Sequence, residues 1–130
     1  SLFAGRRFLS ATARCVGENP EMAALCQFQM DDGIIANVNI DFYRPTGAAT
    51  HGDDRVRCVG TDGIIEVTGG IITLIDSDGT HKIEPSDAPD LLGDFLDGGN
   101  LLTTDEVFHI AAAGIAARDS ADRGETIIIP

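Results

Sequence analysis

The sequence predicts an α+β fold, a mainly antiparallel open sheet with one short and one long helix packed on one face. Three observations carry this reading. Runs of alternating apolar and polar residues, separated by glycine- and aspartate-rich turns, fill the chain up to residue 84. Apolar residues at helical spacing appear only after residue 90. No long helix divides the strands, so a doubly wound dinucleotide-binding sheet is not encoded.

The first strand is expected over residues 8–16, where small and β-branched side chains mix with polar ones. Gly17, Glu18, Asn19 and Pro20 turn the chain. Residues 22–30 alternate, with Met22, Ala24, Cys26, Phe28 and Met30 on one face and Ala23, Leu25, Gln27 and Gln29 on the other. Asp31, Asp32 and Gly33 close a hairpin. The returning strand is the clearest. Ile34, Ala36, Val38, Ile40 and Phe42 form a core face, against Ile35, Asn37, Asn39, Asp41 and Tyr43. Pro45, unable to donate to a ladder, ends it after Arg44.

A small, flexible segment leads to the charged loop HGDDR, and VRCVG-TDG-IIEV behind it reads as a half-buried hairpin. Gly69 and Gly70 turn into a strand over 71–75, and Asp76, Ser77, Asp78 and Gly79 turn into another over 80–84. Leu91, Leu92, Phe95 and Leu96 recur at helical spacing. Thr103 and Glu106 form a capping-box pair that starts a longer helix, with Gly124 as its C-cap. Val107, Ile110, Ala111, Gly114 and Ile115 make the expected apolar stripe, and the neighbouring alanines let the helix lie close to a sheet. Residues 126–129 read as a last strand, placed inside the sheet by its three isoleucines.

The chain of 130 residues is read as one domain, residues 1–130, large enough to bury a core without staples. Nine basic against 21 acidic residues leave a formal charge of −12, which opposes phosphate backbones and anionic lipid surfaces. Neither a nucleic-acid nor a membrane partner is expected, and the location expected is cytoplasmic. Cys15, Cys26 and Cys58 are odd in number, widely spaced, and read as reduced core cysteines. With His51, His81 and His109 they show no zinc spacing, so no metal is assigned. The chain starts on Ser1, and Ser1 to Gly5 reads as the end of an element, so a larger upstream part is expected.

Two constellations carry functional weight. His51 lies among Asp53, Asp54 and Arg55, where carboxylates favour imidazolium and the ring could hydrogen-bond a polar substrate; an exposed loop histidine is the plainer alternative. Tyr43 and Arg44 end the clearest strand one short loop earlier and could converge with it, or form a strand-end ion pair. The second is the polar sheet face of Gln27, Gln29, Asn37, Asn39 and Asp41, free of lysine, which could meet a ligand, another subunit or water. GTDG and VTGG lack the phosphate-loop spacing, so no cofactor site is assigned.

The segments FQMDDGIIANVNIDFYRP, HGDDRVRCVGTDGIIEVTGG and DEVFHIAAAGIAARDSADRGETIIIP, in this order, resemble the C-terminal domain of the Gfo/Idh/MocA oxidoreductases. The last carries the family's closing-helix signature at Ala117, Arg118, Ser120, Ala121 and Gly124. The resemblance implies a parent enzyme, an NAD- or NADP-dependent dehydrogenase or reductase acting on a sugar, polyol or related hydroxy compound. Its Rossmann domain would lie upstream, and this part would shape the substrate pocket and join subunits. The family's Glu-Lys-Pro and Asp-x-x-x-His motifs match no position here, so no catalytic residue is assigned and this chain by itself is not expected to transfer hydride. The resemblance implies substrate contacts at His51, then Tyr43 and Arg44, and a dimer or tetramer formed through Gln27, Gln29, Asn37, Asn39 and Asp41. The alternatives are a free-standing homo-association module with an open β-sheet interface, and a small-molecule carrier binding at the HGDDR loop.

Overall fold

The computed structural model describes residues 5–17, 23–49, 52, 54–99 and 101–130. The turn expected at residues 17–20, the side chain of Met22, and His51 and Asp53 of the charged loop lie wholly or mostly outside them. The chain divides into two compact units, Ser1–Arg44 with Asp90–Pro130, and Pro45–Pro89.

Unit 1 holds strands β1 (Phe8–Val16), β2 (Ala23–Met30), β3 (Ile35–Asp41) and β8 (Ile127–Ile128), with helices α1 (Leu91–Leu96) and α2 (Thr104–Arg123). Its sheet runs β3-β2-β1-β8, antiparallel at each junction. The β2–β3 hairpin closes where the sequence places it. Asp32 takes φ 55° and Gly33 φ 75°, a left-handed pair that an aspartate and a glycine tolerate better than other residues.

The alternation expected for β2 holds, since Phe28 and Met30 are buried while Leu25, Gln27 and Gln29 are exposed. Across the sheet Ala11 faces Phe28, which faces Ala36, so these three share the side on which α2 lies. The core there is small-grained, made of Ala11, Ala13, Phe28, Ala113, Ala116, Ala117 and Ile129. Phe8 meets Phe28 edge to face at 5.1 Å between ring centroids.

Helix α2 starts on the predicted capping box: Thr103 accepts from the Glu106 N–H, and Glu106 accepts from the Thr103 N–H at 2.8 Å. It ends on Gly124 at φ 72°, the left-handed C-cap. The buried stripe differs from the expected one. Ala113, Ala116, Ala117 and Ser120 are buried, whereas Val107, Ile110 and Ile115 are exposed. Close approach of a helix to a sheet selects side chains by smallness, and the alanine and serine side wins over the isoleucine side. Ser120 is fully buried and fastens the layers: its hydroxyl accepts from the Ala13 N–H at 2.9 Å and donates to the Glu125 carbonyl at 2.5 Å.

Two further expectations are corrected. β8 is an edge strand of two residues rather than an interior one, because it pairs only with β1; Ile129, just beyond it, is buried while Ile128 is open to solvent. The β3 face read as core is only partly covered, since α2 lies along β1 and β8 rather than over β3.

Unit 2 is a meander of four antiparallel strands in sequence order, β4 (Arg55–Val59), β5 (Ile64–Thr68), β6 (Ile71–Asp76) and β7 (Gly79–Ile83). Gly69 and Gly70, at φ 57° and 78°, make the two-residue turn that suits the twist of a hairpin. Val56, Val67, Ile72 and Ile83 pair in one row, and Cys58, Ile65, Leu74 and His81 in the next, so one side is largely apolar. The other side carries Arg57 paired with Glu66 at 2.8 Å.

Candidate functional site

Of the residues expected to meet substrate, Tyr43 and Arg44 close unit 1 just past β3. Both are exposed. The local backbone is held by its own groups: the Tyr43 N–H donates to the Asp41 carboxylate at 3.2 Å, and the Arg44 N–H donates to the Phe42 carbonyl at 2.9 Å. Asp41 thus fixes the strand end that presents the phenol and the guanidinium. His51 falls outside the described residues, and its convergence with these two is not part of the geometry here.

The five residues of the polar sheet face do come together. β2 and β3 pair with Gln27 opposite Asn37, Gln29 opposite Ile35, Leu25 opposite Asn39 and Ala23 opposite Asp41. Gln27 Nε2 donates to Asn37 Oδ1 at 3.2 Å, the amide pair that the register sets side by side. All five are exposed, on the side of the sheet opposite the core. Leu25 and Ile35 are also exposed there, and Ile128 of β8 continues the same side. A face of uncharged amides, one carboxylate and scattered large apolar groups offers both hydrogen bonds and burial to whatever covers it.

Unit 2 has a shallow cleft of about 540 Å³ at the β4–β5 turn, lined by Cys58, Thr61, Asp62, Gly63, Leu74 and Asp76 among others. Gly63 is needed for its shape, because a Cβ there would stand 2.6 Å from the Ile75 carbonyl oxygen. The Asp78 N–H bonded to Asp76 at 2.9 Å holds its carboxyl below the usual range, with the adjacent His81 imidazole acting in the same direction. These groups cap the β6–β7 turn and leave no acid–base pair poised for chemistry.

The cysteines are free, as expected, but they are not core residues: Cys15 and Cys58 are exposed and Cys26 is half-buried. Burial, and then the neighbouring Cys15, push the Cys26 thiol above its ordinary value, opposite to what a nucleophile needs. Among the described residues no group of three or more ligating side chains could hold a metal ion. Nor is any helix among them long and apolar enough to cross a membrane.

His109 is the residue whose position the sequence concealed. It is half-buried, on the same side of α2 as Ala113 and Ala116. Its Nε2 accepts from the Phe8 N–H at 2.8 Å, its ring stacks on Phe8 at 5.9 Å, and Arg7 approaches Nδ1 at 3.2 Å while also pairing with Asp105. The ring therefore ties the start of β1 to α2, a packing role. The partners are about a hundred residues apart in the chain, and no local pattern announces them.

No protein-family model and no curated protein sequence matches the chain. Solved structures do. A Thermotoga maritima protein provisionally described as an oxidoreductase superposes with a TM-score of 0.87 at 33% identity over 96% of this chain. The chain's structural neighbours are Gfo/Idh/MocA-like oxidoreductases. More distant structures share the fold. UDP-N-acetylglucosamine 3-dehydrogenase from Acidithiobacillus ferrooxidans gives a TM-score of 0.75 at 13% identity over 94% of the chain. Levoglucosan dehydrogenase in complex with NADH and L-sorbose gives 0.71 at 12% over 95%. The domain spans less than half of each matched protein, 42%, 43% and 45% respectively.

Proposed function

We propose that this chain is the C-terminal, substrate-shaping and assembly domain of an NAD- or NADP-dependent oxidoreductase acting on a sugar, polyol or related hydroxy compound. The observation that carries the reading is the match over nearly the whole chain to less than half of an oxidoreductase-type protein at 33% identity. The nicotinamide cofactor would be held by a Rossmann domain in the remainder of the parent polypeptide. That agrees with the lack of a phosphate loop in this sequence and with a structural relative solved with NADH.

In this reading His51, Tyr43 and Arg44 form the substrate side. Their hydroxyl, imidazole and guanidinium groups suit a polyhydroxylated ligand, and none supplies the hydride step itself. The open sheet face of Gln27, Gln29, Asn37, Asn39 and Asp41 joins subunits into a dimer or tetramer, with Leu25 and Ile35 buried on assembly. The test is His51→Ala in the full-length parent enzyme. The substrate KM should rise roughly tenfold or more while NADH or NADPH affinity stays within about twofold. A fall in nucleotide affinity with KM unchanged would put the loop on the cofactor side and end this assignment.

A further inference from the structure

Three consecutive residues at the head of β1 are clamped from two sides. Arg6 pairs with Asp32 at 2.8 Å, and the Arg7 carbonyl accepts from the Asp31 N–H at 3.1 Å, so the β2–β3 turn holds one flank. Helix α2 holds the other. The Arg7 guanidinium reaches Asp105 at 3.2 Å, and the Phe8 N–H donates to His109 Nε2 at 2.8 Å. Nine residues of the chain are Lys or Arg, and two of them stand side by side here, each against a carboxylate. Both ion pairs are exposed, and exposed pairs contribute no more than about 1 kcal/mol each. The bond to His109 is partly buried, and the ring stacks on Phe8, which itself meets Phe28 of the core. That bond is therefore the one that ties the clamp into the core.

The chemistry of the ring decides which nitrogen bears its proton. A backbone N–H can only donate, so Nε2 has to present its lone pair to Phe8. The neutral ring then carries its proton on Nδ1. Arg7 Nη2 lies 3.2 Å from Nδ1, but two N–H groups face each other there, so this approach is not a hydrogen bond. Asp105, not the imidazole, holds the guanidinium.

We propose that His109 is a positioning residue: by holding Phe8 against α2 it fixes the direction in which the polypeptide enters this domain, and with it the placement of the nucleotide-binding part over the substrate side. The proposal rests on the reading that such a part precedes this domain in a parent oxidoreductase. Parts of one polypeptide that fold separately move against each other by default unless something holds them. When cofactor and substrate are carried by different parts, an error at the joint becomes an error between the reacting atoms. A misplacement of about 1 Å can cost roughly a hundredfold in rate. His109 acts here through Phe8 and not on the reactants.

The kinetic test compares His109→Ala with His109→Gln in the full-length parent enzyme. The amide oxygen of glutamine can accept from the Phe8 N–H as Nε2 does, whereas alanine cannot. His109→Ala should lower kcat about tenfold or more while the substrate KM and the NADH or NADPH affinity stay within about twofold, and His109→Gln should recover most of the loss. An unchanged kcat in His109→Ala, or an equal loss in both variants, overturns the proposal. A second measurement needs no substitution. Nitrogen NMR of the ring in the 130-residue chain, at about pH 8 where an imidazole is neutral, should show His109 protonated on Nδ1. A proton on Nε2 removes the bond to Phe8 and overturns the proposal, even where the alanine variant fails to fold. Nucleotide titration of the parent separates the two readings. Nucleotide bound normally with kcat unmoved by His109→Ala ends the positioning role alone; a parent that binds neither NADH nor NADPH ends the oxidoreductase reading and the positioning role with it.

Discussion

The two units are both antiparallel four-stranded sheets, but they are built on different principles. Unit 1 has a second layer, and wherever α2 lies the residues beneath it are buried, down to 0% exposure at Ala11 and Ser120. Among its described residues unit 2 has no helix and no buried side chain. Val67, Ile72 and Leu74 on its apolar side stay half-buried. A single sheet hides only what neighbouring strands and turns can cover, so its cohesion comes from cross-strand pairs and tight turns rather than from a core. The lesson is that alternation in a sequence announces a face without saying that anything covers it.

The largest effect should come from breaking unit 1 at its aromatic centre. Phe28→Ala removes the ring that meets Phe8 and floors the alanine side of α2, and should cost about 3–5 kcal/mol. Native-state hydrogen exchange should show faster opening of β1 and β2, with β5 and β6 amides little changed. If exchange in both sheets rises by the same factor, the two units unfold together and the contrast between them is lost.

How much of this was legible beforehand follows the same contrast. The hairpins whose turns are described were readable, because each depends on a local turn such as Asp31-Asp32-Gly33 or Gly69-Gly70 and on alternation beside it. So were the capping box at Thr103 and the C-cap at Gly124, which are also local. What failed was non-local. Which strand lies beside which is not written in alternation, so the single open sheet expected divides into two, and β8 stands at an edge.

The buried side of α2 was misread because hydrophobicity points to Ile110 and Ile115, whereas the distance between helix and sheet is set by Ala113, Ala116, Ala117 and Ser120. In the candidate site the polar face that holds the Gln27–Asn37 pair was legible from period-two spacing. The partners of His109 were not, since Arg7 and Phe8 lie at the other end of the chain.

A smaller effect is expected in unit 2. Ile72 sits in the central row between Val67 and Ile83 and is only half-buried, so Ile72→Ala should cost about 1–2 kcal/mol, well below the value for a fully buried side chain. The loss should appear as faster exchange of β5 and β6 amides while β1 and β2 keep theirs. A cost as large as that of Phe28→Ala would mean that the apolar face of unit 2 is covered in solution, and the contrast drawn above would need revision for the intact protein.

The smallest effect concerns charge at a turn of unit 2. Asp76 accepts from the Asp78 N–H at 2.9 Å and lies 3.3 Å from His81 Nε2, and first the Asp78 bond, then the imidazole, hold its carboxyl below the ordinary value of 3.8. A carboxyl whose folded value is lowered stabilises the fold fully above its unfolded value, and that contribution fades as pH falls through the lowered folded value. The β6–β7 turn should therefore be unaffected by pH from neutral down to about 4, then open more readily in stronger acid. Asp76→Asn keeps an oxygen to accept from Asp78 but carries no titrating charge, so exchange at Gly79, corrected for its intrinsic rate, should lose this acid dependence. Carbon-detected titration of the side chains checks the premise directly. Should Asp76 titrate at or above the ordinary aspartate range, the turn is held by its backbone geometry alone, and unit 2 owes its hairpins to glycine placement rather than to charge.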